Sequence, residues 1–358
     1  MTEQPAGSRA TMSDVGKRAG VSHQTVSRVL NEPWRVSRET QQRVLDAIAD
    51  LKFHPNTVAR ALARQRSGTI GMVSTGIALH SHSKRMIAFN EAARAAGYQV
   101  SMASVATADA VSLRDAIETL IAQNVEGIVL IAADEGAIDV MRSLAVPVPV
   151  VFAESSGRSG PDNVSIDQFV GGRMAAAHLA ELGHRQIAHL AGPGWSLDAS
   201  ERLRGWSAEL SERGIPARTP IRAADWTPDS GYRTASLIAA MPEVTAVFAS
   251  SDQLALGLLH GLEDQGLRVP QDLSVVGFDG QPEAAHFHPP LTTIRQDFAE
   301  LGRRLMGAMA AKLEGEALPE LPPLVPELVV RKSTAPRFLA AELAAESEPR
   351  AARRRTKV

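Results

Sequence analysis

Between Thr11 and Leu51 apolar side chains recur every three or four positions in successive short runs. Val15 and Ala19 lie one turn apart, Val26, Val29 and Leu30 share a face, and Val44, Leu45, Ile48 and Leu51 repeat the spacing. That period predicts three amphipathic helices closing a small core, with Asp14, Lys17 and Arg18 on the polar side of the first. Gly20 breaks the first helix, Val21 makes the turn, and Ser22 is placed to cap the second by accepting from the backbone near Thr25. From Ser67 onward the pattern changes. TIGMVST, YQVSMASV, GIVLIA and PVPVVFA are short apolar runs, separated by helical periodicity near 84–96, 112–124 and 136–144. NVSID, QIAHLAG, AVFAS, SVVGFDG and TTIRQ repeat the scheme, with helices at 169–182, 200–213, 254–265 and 298–313, and PELVVRKS closes it. Strands alternating with amphipathic helices imply parallel sheets covered on both faces, here in two lobes.

The helix, tight turn and helix at the start suit the major groove of DNA. The polar face of the second helix offers Ser22, His23, Gln24, Thr25, Ser27, Arg28 and Asn31. Gln pairs bidentately with adenine, Arg with guanine, and a small hydroxyl holds a phosphate. The plainer reading is a solvated helix face. After Phe53-His54-Pro55-Asn56 comes TVARALAR, an Ala-rich run with Arg60, Arg64 and one large apolar side chain, Leu62. A helix that short is marginal alone and is expected to fold on DNA, with Leu62 as a minor-groove wedge. Asn56, Ala59, Arg60 and Leu62 are therefore candidate DNA contacts, against the alternative of a plain linker helix.

Charge supports a basic head on an acidic body. Residues 1–67 hold eleven Lys/Arg against six Asp/Glu, a net of +5, while the whole chain of 358 residues is −2. Nucleic acid is expected at one end only. With no cysteine, disulfides, thiolate metal sites and Cys nucleophiles are excluded. No 18-residue apolar run occurs, and MTEQPAGSRA lacks the apolar segment of a signal peptide, so the expected location is the cytoplasm, in association with the nucleoid. No phosphate-cradling GxxxxGK[ST], GxSxG elbow or HExxH is present, which argues against an enzyme. His80-Ser81-His82 and His286-Phe287-His288 read as solvated loops rather than metal sites. No cofactor and no metal is expected.

Ligands of open parallel sheets sit beyond the carboxyl ends of the strands. Residues there are Thr75, Asp167, Ser251, Asp252 and Asp279, joined by Arg202 in ERLRGW, Gln296 in TTIRQDF and Phe169. A carboxylate, a guanidinium, an amide and a hydroxyl supply the bidentate partners that sugar hydroxyls require. Trp226 is either a pocket wall or core. Asp252 reads as a helix N-cap more than a ligand contact, and Asp167 as a second cap.

DVGKRAGVSHQTVSRVLN, HPNTVARALA, IGMV, ELGHRQIAHLAGP, ERLRGW, SSDQLALG, LSVVGFDG and PPLTTIRQDF occur in that order. On these runs nearly the whole chain resembles the lactose-repressor/galactose-repressor family of bacterial transcription regulators. The resemblance implies an α/β protein. It has an N-terminal three-helix helix-turn-helix domain (11–55) after a disordered start (1–10), and a hinge helix (56–66). A two-lobed, periplasmic-binding-protein-like core of doubly wound parallel sheets follows (67–334), then a disordered tail (335–358). The N-lobe is expected at about 67–167 and 296–325, the C-lobe at about 168–295 and 326–334. By the same resemblance Leu79, Arg202, Trp226, Ser251, Asp279, Gln296 and Phe298 fall at effector-contacting positions. The implied function is a repressor released from a palindromic double-stranded operator when a sugar, a galactoside or other glycoside, binds. The tail lacks the leucine heptads that join dimers, so a homodimer is expected. Val170 and Ile131 stand where the family's namesake has an acidic residue and an amide, His23 where it has Tyr, and Gly16 where the family usually has Ala. An apolar wall at Val170 and Ile131 puts the same small galactoside in doubt. The alternatives are a corepressor-dependent repressor sensing a purine or a phosphoprotein partner, and, further off, a glycosidase using paired carboxylates.

Overall fold

The computed structural model describes residues 10–53, 66–75, 80–105, 109–132, 134–155, 160, 162–318 and 321–337. Two compact units divide the chain, Met1–Ser67 and Gly68–Val358.

The described part of the first unit holds α1 (Met12–Ala19), α2 (His23–Asn31) and α3 (Arg38–Asp50). Thr11 and Asp14 form a reciprocal capping box at the start of α1, and Gly20, at φ 68°, ends it in the left-handed region. Ser22 Oγ accepts from Thr25 N at 3.2 Å and opens α2. Val15, Ala19, Val26, Val29, Val44, Ala47 and Phe53 form the core. Leu45, expected inside, is 49% exposed. The helical turn of α3 places Ala47 on the inner face instead, and Arg43 Nη2 donates 2.7 Å to Ala19 O to tie α3 to the end of α1. A Cβ on Gly16 lies 2.8 Å from Val21 O, so glycine there permits a close backbone approach as well as weakening the helix.

In the second unit β1 (Thr69–Thr75), β2 (Gln99–Val105), β3 (Ile128–Ile131) and β4 (Val150–Ala153) make a parallel sheet in the order β2-β1-β3-β4. Its helices are α4 (His80–Ala95), α5 (Ala110–Ala122) and α6 (Glu135–Ser143). One face packs on α4 and on α11 (Phe298–Leu313), through Ile70, Met72, Phe89, Leu305 and Met309. The other packs on α5 and α6, through Val73, Leu113, Leu130 and Ile138. Ile131 is wholly buried in the core that this sheet shares with α11.

The second sheet runs β10-β9-β8-β7-β5-β6, formed by β5 (Ile187–Ala191), β6 (Ile221–Arg222), β7 (Ala246–Ala249), β8 (Ser274–Asp279), β9 (Thr292–Arg295) and β10 (Glu327–Val329). Its pairings are parallel except β9 with β10. Helices α7 (Gln168–Glu181) and α8 (Leu197–Glu212) cover one face, α9 (Pro228–Ala239) and α10 (Asp252–Asp264) the other. The periodicity did not suggest α9, where Thr227 caps Ser230 N and Pro228 supplies the first turn without needing an N–H. The chain leaves the second sheet after β9 and returns to the first as α11. It comes back once more at Leu324, whose O accepts from Asp167 N at 2.8 Å. Ala335 N donates 3.1 Å to Ser274 Oγ and Arg337 N donates 2.9 Å to Leu182 O, holding the chain on the second sheet through Arg337. No described helix is long and apolar enough to cross a membrane.

Candidate functional site

Asp279 ends β8 at φ 106°, outside the region a non-glycine residue adopts without strain. It turns the carboxylate back over the strand ends, where Gln296 Nε2 donates to Oδ1 at 2.7 Å and Arg202 Nη2 approaches the same oxygen at 3.4 Å. Arg202 is 1% exposed, in the middle of α8. Its Nε donates 2.9 Å to Gln168 Oε1, its Nη1 to Ser250 O, and its guanidinium lies 3.7 Å over the Phe278 ring and 5.6 Å from that of Trp226. Gln168 closes the ring by donating from Nε2 to Gln296 Oε1 at 2.8 Å. Burial lowers the Arg202 pKa from its ordinary value, and Asp279 and Asp198 oppose the shift. The guanidinium keeps its charge because carboxylates face it, and removing one leaves a buried cation unbalanced.

Asp198, one turn before Arg202 on α8, approaches that guanidinium at 3.6 Å and accepts from Arg85 Nη2 at 2.5 Å. Burial pushes the Asp198 carboxyl up, but Arg85 and Arg202 outweigh it and hold the pKa below the usual value. Arg85 comes from α4 on the other sheet. One turn before it, His82 Nε2 lies 2.8 Å from Ser74 Oγ. His82 is 6% exposed, and burial, aided by Arg85, lowers it to about 4. The expected solvated loop is instead a helix start in which His82 is buried, whereas His286 and His288 do lie exposed.

Ser251, and not Asp252, caps α10 by accepting from Leu254 N at 3.1 Å. Asp252 is the first helical residue, and its carboxylate accepts from Gln281 N at 2.7 Å and Thr293 Oγ1 at 2.6 Å. It bridges β9 to the segment after β8 because its side chain points under the sheet ends. Burial, then Asp279, push its pKa up to about 8. Asp167 caps α7 through Val170 N at 2.8 Å, which places Val170 in the first turn, half-buried. Trp226 lies flat on Gly192, where a Cβ meets its ring at 2.3 Å, and packs against the core beneath α9 and α10 as well as facing Arg202. Phe169 lies 5.3 Å below the Arg204 guanidinium and lines a cavity of about 290 Å³ with Ser155, Gln168 and Glu201. Thr75 is buried at the end of β1, and Phe298 packs half-buried on the first sheet's core. Leu79 lies outside the described residues, as do Asn56, Ala59, Arg60 and Leu62.

Gln168, Asp198 and Arg85 escaped the sequence reading. Gln168 follows a recognisable cap, and Asp198 sits one turn before a recognised arginine, but Arg85 needs the tertiary fold. On α2, Ser22, His23, Gln24 and Arg28 are exposed, while Thr25, Ser27 and Asn31 are half-buried. Asn31 Nδ2 donates 2.9 Å to Ser27 O.

Residues 11–56 match the profile of bacterial regulatory proteins of the lacI family, and residues 176–334 that of a periplasmic binding protein-like domain. The lactose operon repressor of Escherichia coli is 36% identical over 329 residues, 90% of each chain. The HTH-type transcriptional repressor PurR of Mannheimia succiniciproducens is 33% identical over 331 residues, 90% of this chain and 98% of that one. Among solved structures, the lac repressor dimer bound to operator and the anti-inducer ONPF matches with a TM-score of 0.79 at 35% identity, over 92% of this chain and 100% of that one. The complex of transcriptional regulator CelR with cellobiose matches at 0.66 and 31%, over 91% and 100%.

Proposed function

The chain belongs to the lacI family of bacterial regulatory proteins and is a DNA-binding transcriptional regulator, and from that premise we propose that it represses carbohydrate-utilisation genes and leaves its operator when a sugar binds between the sheets. The observation that carries this reading is the buried ring of Arg202, Asp279, Gln296 and Gln168 at the strand ends. It presents planar donors and acceptors of the kind that fix sugar hydroxyls. Trp226 gives the sugar an apolar face, and Ser251, Phe169, Thr75, Leu79 and Phe298 complete the surround.

Gln296 begins the segment that carries the chain from β9 into α11, and α11 packs on the first sheet. A ligand that pulls on the ring therefore acts on the crossing between lobes. It shifts their closure only by its differential affinity for the two states, with coupling of about 1–3 kcal/mol typical. The protein works in the cytoplasm as a homodimer on a palindromic operator, since two-fold symmetric sites need two heads. His23, Gln24 and Arg28 read base edges, Ser22, Thr25, Ser27 and Asn31 hold the backbone, and Asn56, Ala59, Arg60 and Leu62 engage the minor groove.

A purine corepressor is the second reading, drawing on the flat face of Trp226 beside Arg202. Operator duplexes selected from a random pool, titrated by fluorescence anisotropy against sugars and nucleobases, decide between them. A sugar that weakens operator binding supports the first reading, and a purine that tightens it supports the second. The cleft is a binding site and not a catalytic one, so aryl glycosides are expected to remain intact on incubation.

A further inference from the structure

Trp34 is 75% exposed, more than any other large apolar side chain among the described residues. It stands in a short 3-10 turn, Pro33–Arg35, between α2 and α3. Glu32 N donates 2.7 Å to Arg28 O and so continues the ladder of α2, and Val36 N donates 3.0 Å to Pro33 O. From α3, Gln41 Nε2 donates to Pro33 O at 2.7 Å and to Val36 O at 2.8 Å, clamping both ends of the turn. Pro33 fixes its own φ, and Val36 packs half-buried on the core of the first unit. The indole is therefore held outward by a braced backbone. A single exposed apolar side chain carries no message by itself. The setting of Trp34 supplies one, because α2 ends only three residues earlier, at Asn31. Arg28, Arg35 and Arg38 are exposed on either side of it in the chain, and only Arg35 has a neighbouring carboxylate, Glu32 at 3.1 Å. The whole segment to residue 67 has eleven Lys/Arg against six Asp/Glu.

We propose that Trp34 contacts the sugar–phosphate backbone of the DNA that the head binds, with its ring packed on deoxyribose and its Nε1–H donated to a phosphate oxygen. This rests on the DNA-binding reading of the head and is independent of which effector the core senses. Tryptophan suits that partner, because its body is apolar and its indole nitrogen is donor only, whereas phosphate oxygens accept. Backbone contacts carry no sequence information, so Trp34 adds affinity on every duplex and leaves the ratio between operator and random DNA as it is. A neutral indole also displaces no counterion, so its contribution is independent of salt, unlike that of an arginine. The head of a second copy is the poorer partner, since two surfaces of the same positive sign repel.

Two measurements on the full chain test this, using a random-sequence duplex of about 30 base pairs, room for two half-sites a helical turn apart. Trp34→Ala and Trp34→Phe leave the fold intact because the side chain is exposed. In anisotropy titrations Trp34→Ala is expected to bind about tenfold more weakly and Trp34→Phe to lose less, with one salt slope for all three proteins. The difference in emission between wild type and Trp34→Phe belongs to Trp34, and saturating duplex is expected to shield it from acrylamide. Unchanged affinity in Trp34→Ala, or acrylamide access that duplex does not reduce, overturns the contact. A shallower salt slope in Trp34→Ala assigns the loss to displaced arginines and overturns it as well. A lower particle mass for Trp34→Ala in light scattering gives the ring to a second copy instead. Failure of the wild type to bind any duplex overturns the DNA-binding reading and this inference together.

Discussion

Gln168, the first residue of α7, donates its side-chain amide to the side-chain oxygen of Gln296, 128 residues further along, at 2.8 Å. This bond joins the helix that opens the second sheet's layer to the segment that leaves it. Each amide also serves a charged neighbour, since Gln168 accepts from Arg202 and Gln296 donates to Asp279. Both glutamines are therefore oriented, with no freedom to flip without breaking a bond to a buried charge.

Replacing Gln168 by Leu strands Arg202 Nε and Gln296 Oε1 in a dry environment. Each unsatisfied group costs about 1–3 kcal/mol. Denaturant unfolding of Gln168→Leu should show a lower midpoint with little change in slope, and sugar affinity should fall with it. Wild-type stability and affinity in this variant contradict the network.

Helices α7 and α8 approach closely enough that a Cβ on Gly205 lies 2.0 Å from Phe169 O, and one on Gly172 lies 2.2 Å from Arg202 O. This crossing sets where Arg202 stands. Gly205→Ala gains helix propensity but forces the helices apart, and overpacking of this kind costs about 1–3 kcal/mol. Thermal unfolding is expected to show a net loss of stability, and a gain contradicts the packing.

Much of the first unit was legible in the sequence because its signals are local. Ser22 and Gly20 mark the ends of a turn by their own chemistry, and Val15, Val26 and Val44 mark one inner face. At the strand ends, Asp279 and Gln296 stood out because a short apolar run announces where it stops, whereas Arg202, in mid-helix, was reached only through the ERLRGW run. Arg85 and His82 did not stand out, since their burial depends on α8 and on Ser74, which no local pattern reports. Leu45 was misplaced for a related reason. Helical period gives a face but not its edges, and Ala47 took the inner position. Helix α9 was hidden because Pro228 reads as a breaker until Thr227 is recognised as its cap.

Three buried histidines make the fold acid-sensitive. Burial lowers His82 and His184 to about 4 and His189 to about 3, against an ordinary value of 6.5. The unfolded chain binds their protons first, so the histidines' contribution to stability is full above pH 6.5 and is lost as pH drops toward 4. Asp252, raised to about 8, opposes this as one group against three, because the folded chain holds its proton more tightly across that window. Melting temperature is expected to fall between pH 7 and 4.5, and His184→Gln should flatten the dependence. A melting temperature independent of pH over that range contradicts the burial of these rings.

Arg28 is exposed on α2 and has no ion pair among the described residues. Arg28→Ala is expected to weaken operator binding by about 1–3 kcal/mol. Anisotropy titrations at several salt concentrations separate its role. A uniform loss with a shallower salt slope marks a phosphate contact, and a loss confined to some operators marks a base contact. Wild-type affinity on every operator removes α2 as the reading helix.

On the function proposed above, the ring around Asp279 senses a sugar and passes its occupancy to the DNA-binding head. Asp279→Asn keeps a side chain that tolerates positive φ while removing the negative charge facing Arg202. The most direct measurement is the operator affinity of wild type and Asp279→Asn, each with and without the sugar that binds the wild type. The sugar is expected to weaken the wild type on its operator by a factor of about 5–150 and to leave the variant's affinity unchanged. Tighter operator binding by the wild type with sugar, or a full response by the variant, contradicts it.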